Sequence, residues 1–101
     1  MNASKGMTMQ KVRLTGRLIC RSEADIETLR THLPEHIRLT TAEPGCISFN
    51  VFQSDNPLIW HVEECFCDKA AFEFHQQRNR ASTWWASTAD IPRDYEISGL
   101  E

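Results

Sequence analysis

His75 is the side chain in this sequence best suited to moving a proton near neutral pH. An imidazole titrates near pH 6.5 and is mostly a free base at pH 7. Phe72 and Ala71 lie three and four residues before it, which puts it near the apolar edge of a helix. Placed over a sheet, it can take a proton from a phenol-like substrate. The plainer alternative is a half-buried histidine hydrogen-bonded to backbone. Glu64 is the second candidate. In projection it falls between Trp60 and Phe66 on one strand face, where an ionised carboxylate is costly unless paired. It either orients His75 or binds a substrate hydroxyl, or it pairs with Arg17 or Arg78. The aromatics are third. Trp60, Phe66, Phe72, Phe74, Trp84 and Trp85 crowd the second half of the chain. Rings of this kind line cavities for flat apolar ligands, although in a small protein most of them are simply core.

Other polar groups read as less informative. Arg78, Arg80 and Arg93 read as surface or helix-end charges. His32 and His36 lie four apart on one helix, but Pro34 between them distorts any metal geometry, and both read as surface. Cys20, Cys46, Cys65 and Cys67 each lie in or beside an apolar strand. Two disulfides are conceivable, but for a cytosolic protein reduced thiols are the expectation. Cys65 and Cys67 share a strand face with His61, an arrangement open to zinc. However, the C-x-x-C spacing of zinc knuckles is absent, and the expectation is no metal. Phosphate loops, nucleotide fingerprints and serine or cysteine nucleophile motifs are also absent.

The elements that must position these groups follow from periodicity. Residues 11–20 alternate as a half-buried strand, with Val12, Leu14, Leu18 and Cys20 inward. Gly16 interrupts the row and predicts a bulge or a close approach. Ser22 offers a side-chain oxygen to a helix start, with Asp25 three residues on. Ile26, Leu29, Leu33 and Ile37 form its stripe. Pro34 predicts either a kinked helix over 23–43 or a short helix restarting near it. Glu43-Pro44-Gly45 ends that helix. Residues 46–53 read as a strand with Ile47, Phe49 and Val51 on one face. Ser54-Asp55-Asn56-Pro57 is a turn, and residues 58–66 are the partner strand. Asp68 caps a helix from Lys69 to about Gln77. A short helix lies within 80–88, and residues 93–98 form a last strand. The order β-α-β-β-α-β is the split βαβ of ferredoxin-like α+β folds.

With 101 residues, the chain holds at most one domain, 11–101, after a lead-in at 1–10 expected to be disordered. A core this thin is often supplemented by pairing with a second copy. A net charge of −3 with interleaved signs gives no reason to expect nucleic acid or an anionic membrane. No run reaches a membrane span, and residues 1–10 lack the apolar block of a secretory signal, so the cytoplasm is the expectation.

LPEHIRLTTAEPGCISFNVF at 33–52, NPLIWHVEECFCDKAAFEFHQQR at 56–78, Trp84-Trp85 and IPRDYEI at 91–97 together resemble the antibiotic biosynthesis monooxygenase family, which includes quinol monooxygenases. The E-P-G-C turn, the E-x-F before a helix and the histidine nine residues after that phenylalanine carry the resemblance. It implies a ferredoxin-like protomer that pairs sheet to sheet into a dimeric α+β barrel, with a pocket between sheet and helices. It implies oxidation of polycyclic phenols or quinols by O₂ without metal, flavin or other prosthetic group, and the expectation for this chain is a small aromatic phenol or quinol. An electron-rich phenolate can itself reduce O₂ once deprotonated, oriented and desolvated. By position, His75 is then the pocket histidine, and Phe66 stands where many relatives have tryptophan. The residues themselves add the expectation that His75 is base or anchor and Glu64 its partner, with Trp60, Phe66, Phe72 and Trp84 as walls. A haem-degrading branch uses a first-strand asparagine together with a tryptophan and a histidine. Here Thr15 and Gly16 replace the first and Phe66 the second, so the resemblance is away from haem. The alternative function is a non-catalytic small-molecule-binding dimer of the same fold.

Overall fold

The computed structural model describes residues 10–100, so all but the last residue of the expected disordered lead-in lies outside the described residues. Four strands, β1 (Val12–Ile19), β2 (Cys46–Gln53), β3 (Ile59–Phe66) and β4 (Arg93–Ser98), form one sheet in the order β2-β3-β1-β4. Every neighbouring pair is antiparallel. Three helices, α1 (Glu23–Thr41), α2 (Lys69–Arg80) and α3 (Thr83–Thr88), complete the β-α-β-β-α-α-β order. β3 lies between β1 and β2, and β1 between β3 and β4, which is the split βαβ topology expected.

The sheet is one-sided. Val12, Leu14, Leu18, Val62 and Phe66 turn inward and join Ile26, Leu29, Leu33, Phe72, Trp84 and Ile91 in one core. The alternate positions Arg13, Thr15, Glu63 and Glu96 are exposed on the other face. Gly16 answers a close approach and not a bulge. The β1 ladder is regular on both sides, and a Cβ at Gly16 would lie 2.1 Å from the Asp94 carbonyl oxygen and 2.7 Å from the Tyr95 ring. The bulge falls instead in β2, between Cys46 and Ser48. Its extra residue, Ile47, is pushed out of register and is half exposed, contrary to the simple alternation, while Cys46 and Phe49 turn inward.

α1 runs unbroken through Pro34. That residue faces solvent, as does Arg30, whose carbonyl it leaves unpaired, so water can take the bond. Ser22 makes no side-chain cap. Asp25 is drawn instead to Arg21, accepting from its backbone N at 2.8 Å and from its guanidinium at 2.8 and 3.0 Å. The buried stripe is Ile26, Leu29, Leu33, His36 and Thr40. Ile37, expected to continue it, is half-buried beside it. Asp68 caps α2 as expected, accepting from the Ala71 backbone N at 2.8 Å, and α2 runs one turn further than its pattern suggested. All four cysteines are free. Among the described residues no group of three or more His, Cys, Asp or Glu side chains is placed to hold a metal ion, and no helix is long and apolar enough to cross a membrane.

Candidate active site

The site begins at the Glu43-Pro44-Gly45-Cys46 turn. A Cβ on Gly45 would come within 2.3 Å of the Ala71 Cβ, so only glycine lets the turn press against the first turn of α2. The Cys67 backbone N donates to the Gly45 carbonyl at 2.9 Å and ties the turn to the end of β3. This contact carries the Glu43 carboxylate onto the face of α2 that presents His75 and, three residues on, Arg78.

His75 and Glu43 are both almost wholly buried. His75 Nδ1 lies 3.0 Å from Glu43 Oε2. Arg78 Nε donates to the same oxygen at 2.5 Å, and Arg78 Nη2 donates to Thr40 Oγ1 at 2.9 Å. A carboxylate that is paired with a guanidinium only accepts. The shared hydrogen therefore sits on His75 Nδ1, and Nε2 is left with its lone pair. Nε2 faces Glu64 Oε1 at 3.7 Å, beyond hydrogen-bond reach. Burial pushes the His75 pKa down, against the opposing pull of Glu43. Burial, with the Glu43 charge adding to it, lifts Glu64 to about 7. At neutral pH the site therefore holds a neutral imidazole beside a carboxyl that is about half protonated.

Both groups border a cavity of about 200 Å³ between the sheet and the helices. Its floor is Leu14, Leu18, Val62, Phe49, Tyr95 and Arg93, and α1 and α3 close it with His36 and Trp84. His36 stacks flat on Trp84, with centroids 4.5 Å apart and planes 2° apart. Its Nδ1 is buried with no protein partner, as is Glu64 Oε1. Burial, aided by repulsion from His75 once that ring is protonated and by the charges of Arg78 and Arg93, drives the His36 pKa down to about 3. Tyr95, packed over Gly16, is pushed up to about 12 chiefly by burial.

His75 and Glu64 converge on one cavity. Of the four expected wall residues, Trp84 lines it. Phe66 lies against the His75 ring at 4.8 Å, and Phe72 packs behind Phe66 at 5.8 Å, so these two back the imidazole without lining the cavity. Trp60 opens β3 and belongs to the core cluster; its indole N–H has no protein partner. Neither Arg17 nor Arg78 pairs with Glu64: Arg17 bonds Asp94, and Arg78 bonds Glu43. His36, read as a surface residue, is 4% exposed, because positions 33, 36 and 40 continue the α1 stripe at spacings of three and four. Arg78 and Arg93 likewise turn inward, while Arg80 stays exposed. Sequence reasoning missed Glu43 as a functional group. The signal for it was an acidic residue held by a glycine turn that nothing else in the local pattern required.

These features define a ferredoxin-like α+β protein with a histidine–carboxylate pocket between sheet and helices. The chain belongs to the antibiotic biosynthesis monooxygenase family, whose pattern matches residues 17–90. A solved structure from Nitrosomonas europaea named for the same family superposes with a TM-score of 0.78 at 20% identity, over 91% of each chain. A second Nitrosomonas europaea protein, of unknown function, gives 0.72 at 24% identity, covering 91% of this chain and 90% of that one. A Bacteroides thetaiotaomicron protein described as a possible oxidoreductase gives 0.72 at 14% identity, covering 92% and 100%. At these identities the likeness is one of fold. No curated protein sequence matches the chain.

Proposed function

We propose that the protein is a cofactor-independent monooxygenase that oxidises a small aromatic phenol or quinol with O₂. The observation that carries this reading is the bare Nε2 of a neutral His75, oriented by Glu43 and bordering a cavity lined in part by aromatic rings. The plainer alternative is a histidine hydrogen-bonded to backbone. Here Nδ1 goes to a carboxylate that is itself clamped by Arg78. Family membership supports a monooxygenase or small-molecule-binding role.

In this mechanism His75 Nε2 takes the phenolic proton, and the imidazolium that forms is stabilised by Glu43. Glu64 Oε1, without a protein partner, accepts from or donates to a substrate hydroxyl. The phenolate passes one electron to O₂, and the two radicals combine at a ring carbon to give a hydroperoxide. Loss of water then leaves a quinone. One oxygen atom enters the ring, the other leaves as water with the two hydrogens the phenol loses, and O₂ accepts the four electrons. The residues around the cavity, Trp84, His36, Phe49 and Leu14 among them, exclude water from these intermediates. The working form in this proposal is a cytoplasmic homodimer. The bare sheet face, where Phe52 stands about half exposed among charged residues, is the surface that sheet-to-sheet pairing covers.

The test is oxygen uptake by purified, metal-free protein across a panel of phenols and hydroquinones. Wild type should consume O₂ with at least one of them, and His75→Gln should lower kcat/KM by about 10²–10⁴-fold. Equal rates for wild type, His75→Gln and buffer across the panel would refute catalysis. Retained ligand binding with no turnover would leave the protein as a binding module.

A further inference from the structure

The cavity has a second polar pole that the proton-transfer chemistry does not use. Arg93 enters it from β4. Its guanidinium is fixed from two sides. Nη2 donates to the Thr88 carbonyl at 3.1 Å and to Thr88 Oγ1 at 3.2 Å, and Cζ stands 5.2 Å over the Trp85 ring. Thr88 is in turn fully buried, its hydroxyl donating to the Trp84 carbonyl at 2.7 Å. Nε is buried and has no protein hydrogen-bond partner. Among the described residues no carboxylate lies within 4.0 Å of Arg93. Arg78, which stands beside His75, is by contrast matched by Glu43. Glu64 is the carboxyl within electrostatic range, but its own burial outweighs the pull of Arg93 and leaves it half protonated near neutral pH. Arg93 is thus a rigidly held cation, unmatched by a carboxylate, on the wall of a cavity whose other polar pole is His75 and Glu64. An anion on that guanidinium would form the strong, charge-assisted kind of hydrogen bond.

Size narrows the ligand further. An apolar cavity of about 150 Å³ accommodates benzene, so about 200 Å³ has room for one substituted ring. We propose that the substrate is a single-ring phenolic acid, its carboxylate on Arg93 and its hydroxyl at His75 and Glu64. The hydroxyl end rests on the function proposed above, whereas the anionic end stands on Arg93 alone.

Titrations following quenching of tryptophan fluorescence, with Trp84 and Trp85 as reporters, test this with 2-, 3- and 4-hydroxybenzoate and the methyl ester of each. Wild type should bind at least one acid about 10- to 100-fold more tightly than its ester. Arg93→Gln should abolish that preference by weakening the acid, and Arg93→Lys should keep part of it. Esters binding as well as acids in every pair, no binding of any acid, or an Arg93→Gln variant that keeps the preference would each overturn the proposal. If Arg93→Gln does not fold, the wild-type comparison of acid with ester still decides. Acids bound through Arg93 with no oxygen consumed would uphold this inference and remove the oxidation. Esters oxidised as readily as acids would uphold the oxidation and remove this inference.

Discussion

Two acid–base pairs in this molecule have the same geometry and opposite surroundings. Arg17 and Asp94 meet at 3.0 Å on the open face of the sheet, with side chains 45% and 64% exposed. His75 and Glu43 meet at 3.0 Å under the helices, 2% and 4% exposed. On the open face, water already solvates both charges and salt screens them, so the contact is nearly neutral in energy. Under the helices no water compensates, and every partner is needed to keep the others ionised or neutral as they are. The same distance is decoration in one place and machinery in the other, because burial decides what a charge can do.

Breaking the buried pair should therefore have the largest effect. Glu43→Ala leaves Arg78 and His75 without their acceptor and should cost about 3–5 kcal/mol of unfolding free energy in urea titrations. A loss under about 1 kcal/mol would mean the cluster is no more coupled than a surface pair.

A second break lies one layer out, at the His36–Trp84 stack, and is driven by pH. The native pKa of His36 is depressed to about 3 from 6.5. Below pH 6.5 the unfolded chain binds a proton that the native state refuses, so the contribution of His36 to stability is complete above that value. It shrinks as pH falls, until native His36 itself protonates. His36→Phe keeps a flat ring on Trp84 and removes the proton. Relative to wild type it should gain about 2–3 kcal/mol on going from pH 7.5 to 4.5, read from urea unfolding at each pH. An unchanged difference would show that His36 titrates as if exposed.

The smallest effect belongs to the open face. Arg17→Ala should change stability by less than about 1 kcal/mol and lose even that in 1 M salt. A larger, salt-independent loss would place Arg17 in a buried contact, such as the face shared by two protomers.

Much of this arrangement was legible in the residues, and the limits have physical causes. Alternation placed Glu64 on the covered face of β3, and glycine at 16 correctly signalled a close approach, because both are properties of a strand's own period. His75 on the apolar edge of α2 followed in the same way. The β2 bulge was invisible, since an inserted residue such as Ile47 keeps its apolar identity while losing its place in the register. The pairing of Glu43 with Arg78 escaped notice because they are 35 positions apart and meet only through the Gly45–Ala71 contact. His36 was misread because its histidine chemistry and the proline beside it outweighed its place on the stripe. A polar residue at a stripe position, as with His36 and Thr40, is the sequence signal that a helix face covers a site and not only a core.

The central claim is that the buried cluster holds His75 neutral, protonated on Nδ1, with Nε2 bare toward the cavity. Long-range ¹⁵N–¹H correlation of the imidazole at pH 7 reads that state directly. The account predicts a neutral His75 with the hydrogen on Nδ1, and a change of tautomer population in Glu43→Gln. An imidazolium at pH 7, or a hydrogen on Nε2 in the wild-type protein, would contradict it.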